Sequence, residues 1–264
     1  LLRDVWKNEI CWDDPLPASI NELWQTFRQQ IEKVATCRIS RFYFVEFMPQ
    51  HIQLHVFVDA SESAFAAVAY WRYISGSKIS TSLICAKTKT APMKATTIPR
   101  LELLAAVLGV RLMTTIVAEH SFDIKQYTLW SDSKTILSWI NSKHRRYKPF
   151  VAHRIAEILA SSDSKFWRWI STHDNVADEA TRYKFDVDFS PDARWYTGPE
   201  FLRNEEDNWP SYTLPVQDDQ PLLEEIIRPV LLVTTHDKII DFDRFSSLNR
   251  IKRCMSWVLR FKRR

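Results

Sequence analysis

Glycine is almost missing from this chain: Gly76, Gly109 and Gly198 are the only three in 264 residues. So few glycines argue against any glycine-rich phosphate loop, and neither Gly-x-Gly-x-x-Gly nor Gly-x-x-x-x-Gly-Lys-Ser/Thr occurs. Nucleoside triphosphates and dinucleotides are therefore poor ligand candidates. Cysteine is equally scarce. Cys11, Cys37, Cys85 and Cys254 lie far apart with no Cys-x-x-Cys pair, so neither a zinc site nor a disulfide framework is implied, and reduced intracellular thiols are expected. No uninterrupted apolar run approaches the roughly eighteen residues of a membrane span, and no signal-peptide pattern opens the chain. A soluble protein with no membrane partner is expected. An initiating methionine is also lacking, and the Leu1-Leu2 start is expected to belong to a longer polypeptide.

What is present suits a globular protein: 45% hydrophobic and 13% aromatic residues. The length allows one good core with appendages, or two small domains. The net charge of +4 says little, but its distribution says more. Between Asp186 and Asp243 fourteen acids face four bases, whereas eight bases and no acid follow from Arg244 onward. A second basic cluster, Lys143-His144-Arg145-Arg146-Tyr147-Lys148, has the composition of a phosphate-neutralising patch, with a solvated surface run as the plainer reading.

Periodicity divides the chain. Residues 1–49 read as mostly helical, with Ser19 capping a helix from Ile20 in which Leu23, Trp24, Phe27, Ile31 and Val34 recur at helical spacing. Strands are expected at Ile52–Asp59, Phe65–Ile74 and Lys78–Lys87, the last two joined through Ser75-Gly76-Ser77. A long helix follows from Arg100 to about Glu119, burying Leu101, Leu104, Ala105, Leu108 and Leu112. Then come a strand at Tyr127–Ser131, helices at Ser133–Ser142 and Phe150–Ala160, a strand at Lys165–Ser171 and a short helix near Asn175, with Asp174 or Asn175 as its cap. That order is an α/β fold with a mixed five-stranded sheet flanked by helices over residues 50–183. Residues 184–243, acidic and broken by prolines, read as an extended, partly ordered linker with one strand at Pro229–Thr234. Residues 244–264 read as a basic terminal helix.

Four acids stand in distinctive settings: Asp59 ending the apolar run LHVFVDAS, Glu102 in PRLELLAA, Asp132 in LWSDSKTIL and Asp178 in NVADEATR. Singly, each is as well read as a helix cap or a surface charge, and Asp132 before Ser133 has the look of a cap. Together they fit a divalent-metal site. If the strands carrying Asp59 and Asp132 lie parallel and adjacent, both acids reach the carboxyl edge of the sheet, where open α/β sheets bind ligands. Glu102 in the first turn of the long helix and Asp178 on the last helix can join them. Four carboxylates so close repel one another unless cations intervene.

At these residues the chain resembles a ribonuclease H domain. The phrases VDAS, PRLELLAA, WSDS and NVAD are similar to the ribonuclease H region of BEL/Pao-type LTR retrotransposon polyproteins. The likeness runs on through LWSDSKTILSWI and FVAHRIAEI, back to WDDPLPASI at the junction with reverse transcriptase, and forward to RFSSLNRIKRCMSWVLRF before integrase. It implies a ribonuclease H-like sheet, hydrolysis of the RNA strand of an RNA–DNA hybrid during reverse transcription, and two Mg2+ ions, with Mn2+ as the alternative. The partners it implies are the hybrid and the reverse transcriptase and integrase portions of the same polyprotein, in an intracellular retroelement particle, cytoplasmic or nuclear. The family's ligand acids fall on Asp59, Glu102, Asp132 and Asp178. Asp59 would bind both ions, Glu102 and Asp132 one of them, and Asp178 the other.

His173 lies five residues before Asp178, nearer than the family's mobile histidine, and is read as a proton shuttle or as an exposed loop histidine. Thr181-Arg182-Tyr183 stands where the family has Ser-Arg-Gly. Arg100, Lys143, Arg145, Arg146 and Lys148 are the candidate contacts to nucleic acid. A ribonuclease H-like module without catalysis is the alternative function. An aspartic peptidase would need Asp-Thr/Ser-Gly, which occurs nowhere, Asp59 being followed by Ala60-Ser61. A DEDD exonuclease would need Asp-x-Glu, against the Asp59-Ala60-Ser61-Glu62 found here.

Overall fold

β-Branched and aromatic residues run through β1 (His51–Ala60), β2 (Ala64–Ser75) and β3 (Lys78–Thr90), which pair antiparallel as a meander. The computed structural model describes residues 2–35, 37–94, 96–122, 124, 126–142, 146–182, 187–211, 224–226 and 246–262. The β2–β3 turn is two residues long and starts at Gly76, whose φ of +58° is the left-handed conformation that such a hairpin demands. The long helix α3 (Ile98–Glu119) then crosses to β4 (Gln126–Ser131), which adds parallel to β1, and β5 (Trp167–Trp169) adds parallel to β4. The sheet order is β3-β2-β1-β4-β5. Between the last two strands lie α4 (Lys134–Asn141) and α5 (Pro149–Ser161). The short α6 (Asp178–Thr181) and α7 (Arg194–Thr197) follow β5, and the amino-terminal helices are α1 (Leu2–Lys7) and α2 (Ala18–Val34).

Alternation along β1 sends Leu54, Val56 and Val58 to one face and His55, Phe57 and Asp59 to the other. The first face forms the main core with α3, α4 and α5, through Leu103, Ala106, Val110, Ile136, Trp139, Val151 and Ile158. Helix α3 can settle on β1 because Gly109 has no side chain. A Cβ there would lie 2.4 Å from Val58 Cγ1, too close for any other residue without a shift. By length and apolar composition α3 would also suffice to cross a membrane, although Arg100, Glu102 and Arg111 interrupt its apolar run, but here it is largely buried against the sheet.

The second face is covered too, by residues 187–211 of the stretch expected to be a linker. Within residues 187–211, Trp195, Phe201, Leu202 and Trp209 pack on Phe57, Val68, Tyr70 and Trp130. The sheet pins this segment by its backbone. Buried Arg72 donates from Nε to the Leu202 carbonyl (2.7 Å) and from Nη2 to the Asn204 carbonyl (3.0 Å), while its Nη1 reaches Gln53 Oε1 (2.7 Å). Tyr70 donates to the Trp195 carbonyl (2.7 Å) and Thr81 to that of Thr197. The physical reason is that β2 is apolar at both parities, so each face must be covered.

Smaller corrections have local causes. Helix α2 begins at Ala18 after Pro17 rather than under a Ser19 cap, proline having its φ already near helical. The apolar face of α2 is exposed at Trp24, Ile31 and Val34. The expected strand at 165–171 contracts to Trp167–Trp169, a 3-10 turn taking Ser164–Phe166. The last helix starts at Asp178 rather than near Asn175, whose side chain divides its bonds between the Val58 carbonyl and the Ala177 amide. The predicted strand at 229–234 lies outside the described residues.

Residues 1–226 form one compact unit and 227–264 a second. In the second, α8 (Leu248–Lys262) is the described element, amphipathic and exposed at Trp257, Val258, Leu259 and Phe261.

Candidate active site

The parallel seam between β1 and β4 pairs Val58 with Ser131. The next residue on each strand is an acid, so Asp59 and Asp132 leave the carboxyl edge side by side. Glu102, one turn into α3, joins them through Ser133, whose hydroxyl donates to Glu102 Oε2 (2.6 Å). The same Ser133 oxygen accepts from the Ile136 amide (3.3 Å) and so caps α4, a role Asp132 does not take. Asp178 returns on α6. This short helix is held by Asn175, which is fully buried, donates to the Val58 carbonyl (3.0 Å) and accepts from the Ala177 amide (3.2 Å). Ser61 adds a bond from its hydroxyl to the Thr181 carbonyl (2.9 Å).

Each carboxylate thus has a polar partner from the protein. Thr181 donates its hydroxyl to Asp59 Oδ2, and Thr172 donates to Asp132 Oδ2 (2.8 Å). Arg182 pairs with Asp178, its Nε 2.5 Å from Oδ1. That contact is a charge pair rather than a directed hydrogen bond, since Asp178 Oδ1 is buried without a hydrogen-bond partner. None of Ser133, Thr172, Thr181 or Arg182 was singled out from sequence as a partner of an acid. The only signal was a hydroxyl residue close to several of the acids, which is too common to read.

Mutual influence shows in the acidities. Asp59 is only 6% exposed. Its carboxyl is pushed up to about 6, first by burial and further by the charges of Asp132 and Asp178, while the Thr181 bond and Arg182 pull the other way. Burial also raises Glu102, with the Ser133 bond opposing and Asp132 and Asp59 adding to the rise. Asp59 therefore senses Asp132 and Asp178, and Glu102 senses Asp132 and Asp59. Among the described residues no three His, Cys, Asp or Glu side chains are drawn close enough to hold an ion as they stand. The donor set is nevertheless all oxygen, which suits a hard cation such as Mg2+ or Mn2+. Asp59, whose charge burial disfavours, and an Asp178 oxygen met only by the Arg182 charge are the groups that a cation would address.

His173 lies away from this convergence in its contacts: its side chain is 94% exposed and meets Asp174 Oδ1 at 3.2 Å. Arg100 and Lys148 converge on a residue not foreseen from sequence, Glu224. Arg100 reaches Glu224 Oε1 from Nε (3.0 Å) and Nη2 (2.9 Å), and Lys148 Nζ is 3.3 Å from Oε2. Arg146 is exposed, and Lys143 and Arg145 lie outside the described residues.

The family described as Pao retrotransposon-like RNaseH-like domain matches residues 1–133, which span Asp59, Glu102 and Asp132. The chain belongs to this family. No curated protein matched the sequence. Among solved structures, similarity is found to the N-terminal RNase H domain of Rv2228c from Mycobacterium tuberculosis, at 10% identity and TM-score 0.33, covering 47% of this chain and 86% of that one. RNase H1 from Halobacterium salinarum NRC-1 is 13% identical with TM-score 0.31, covering 47% and 89%. LC11-RNase H1, solved with an RNA/DNA hybrid, is 11% identical with TM-score 0.33, covering 47% and 88%.

Proposed function

We propose that the chain is a metal-dependent endonuclease that hydrolyses the RNA strand of RNA–DNA hybrids during retroelement reverse transcription. The observation that carries this reading is the convergence of four acids, from β1, α3, the end of β4 and α6, on one sheet edge in a ribonuclease H-like domain. Asp59, Glu102, Asp132 and Asp178 would hold the metal. Bound there, divalent ions would supply charge neutralisation at the scissile phosphate and an activated water. The chain's own residues do the positioning. Asp59 and Asp132 are aligned by the β1–β4 register, Glu102 is steered by Ser133, and Asp178 is anchored through Asn175. The burial that raises Asp59 also lowers the local dielectric, which strengthens any charge interaction made there. In the same reading the chain works beside reverse transcriptase and integrase portions of one polyprotein, inside an intracellular retroelement particle.

The test is cleavage of an end-labelled RNA–DNA hybrid by the whole chain, with Mg2+ or with chelator. Metal-dependent cutting of the RNA strand that Asp132→Asn reduces by about a hundredfold or more is expected. Equal rates for the two proteins would reject hydrolysis and leave a binding module.

A further inference from the structure

The contact between Glu224 and two cations has the form of a substrate contact. Glu224 sits in the acidic stretch between Asp186 and Asp243, far in sequence from Arg100 on α3 and from Lys148 at the start of α5. Its two carboxylate oxygens are shared out: Oε1 takes the Arg100 fork and Oε2 faces the Lys148 ammonium. A phosphate oxygen pair would be received in the same way. Arg100 also lies over the Phe150 ring, its Cζ 5.0 Å from the centroid, which fixes the plane of the fork.

The backbone delivers Glu224 to this spot. The Lys148 amide donates to the Glu224 carbonyl (3.0 Å) and the Ile226 amide to the Arg146 carbonyl (2.7 Å), making a one-residue antiparallel bridge between Tyr147 and Glu225. Glu224 has φ +67°, a left-handed conformation unfavourable for a residue with a side chain. Strain of this kind persists where surrounding contacts over-determine it and recurs at clamps and switches. The cations remain open to solvent, Lys148 at 58% and Arg100 at 34%, whereas the Glu224 side chain is only 9% exposed. The acid is enclosed by its hosts, and the hosts keep a face from which a larger anion can approach.

We propose that Arg100 and Lys148 form a site for a backbone phosphate of a nucleic acid, and that Glu224 occupies it as a displaceable stand-in. The proposal rests on the nuclease reading for the identity of the ligand as an RNA–DNA hybrid. Residues 224–226 act as a plug: a lone nucleotide does not dislodge it, but a polyanion engaging several sites at once does, because released counterions add to the exchange. The same residues thus set a threshold against short or poorly held substrates.

The experiment measures binding of a short RNA–DNA hybrid by fluorescence anisotropy at several salt concentrations, with the whole chain carrying Asp132→Asn throughout to prevent cutting. Glu224→Gln is expected to tighten binding about three- to tenfold and to steepen the slope of log Kd against log salt by about one to two, the phosphate contacts regained. Glu225→Gln removes the same charge one residue away and is expected to give less than half that gain. In an Arg100→Gln, Lys148→Gln background the gain from Glu224→Gln is expected to vanish. Equal tightening by the two glutamine variants, a gain that survives without Arg100 and Lys148, or no gain at all would each overturn the plug. Thermal melts of every variant separate these outcomes from misfolding. Cleavage by the chain without Asp132→Asn is scored apart. Glu224-dependent binding without cleavage keeps the plug and removes hydrolysis, and cleavage without Glu224-dependent binding does the reverse.

Discussion

Gly109 on α3 and Val58 on β1 meet so closely that a single added carbon would stand 2.4 Å from Val58 Cγ1. The contact fixes the depth at which α3 lies on the sheet. Seven residues upstream on that helix is Glu102, and one residue beyond Val58 is Asp59. Packing and site geometry therefore share one contact.

Gly109→Ala is expected to cost about 1–3 kcal/mol of stability through overpacking, measured by urea unfolding. Hybrid cleavage should fall as well, since relief of the clash moves α3 away from β1. A variant as stable as the parent would show that the sheet yields there freely.

Asp59 carries a charge that the fold disfavours. Its folded-state carboxyl titrates near 6, above the ordinary value of 3.8. Between those values the native state binds the proton that the unfolded chain has released, so stability falls as pH rises through that window and the penalty is full above 6. Asp59→Asn should abolish cleavage yet raise stability at pH 7.5 by up to about 3 kcal/mol, the gain shrinking to nothing by about pH 4. Comparing variant and parent at each pH cancels the opposing slope from buried His55, which burial and then Arg72 and Arg168 push down to about 3. A stability gain independent of pH would contradict the assignment. Saturating Mg2+ should raise the melting temperature of the parent and not that of Asp59→Asn.

Arg182 is a built-in counter-ion: it pairs with Asp178 and favours ionised Asp59. On the proposed metal site it would compete with the ion for the same carboxylates. Arg182→Gln should tighten Mg2+ binding by about threefold in calorimetry, a modest gain because the guanidinium is more than half exposed. Weaker binding in the variant would mean that Arg182 organises the acids rather than competing for them.

Arg72 holds the second layer of the fold. Arg72→Met would leave the Leu202 carbonyl and Gln53 Oε1 without this donor, and the Asn204 carbonyl with Trp209 Nε1 alone. A loss of about 2–4 kcal/mol is expected, with early protease cleavage between residues 190 and 210 seen by mass spectrometry. Cleavage unchanged in place and rate would show that apolar packing alone keeps this segment on the sheet.

The strands, the long helix and the placement of Asp59, Glu102 and Asp132 were legible from the chain because each rests on local pattern. An apolar run ending in an acid, or leucines at helical spacing, carries its meaning within a dozen residues. The cover on the second face was not read, although β2 held the clue: Ala67, Ala69 and Trp71 on one parity and Val68, Tyr70 and Arg72 on the other are all buried. A strand apolar on both sides needs two partners, and prolines with acids hid the second one in what resembled a linker. Ser19 failed as a cap for a similar reason, since Pro17 already satisfies the geometry of a helix start.

Sequence alone determined that four acids would come to the ends of strands and the faces of helices, because strand period and helix period are short-range properties. Only the tertiary structure decided what each acid touches: Thr181 for Asp59, Ser133 for Glu102, Thr172 for Asp132 and Arg182 for Asp178. The same holds for Glu224, which meets Arg100 across 124 residues. Such pairings depend on which surfaces the packed sheet brings together, and no local pattern records them.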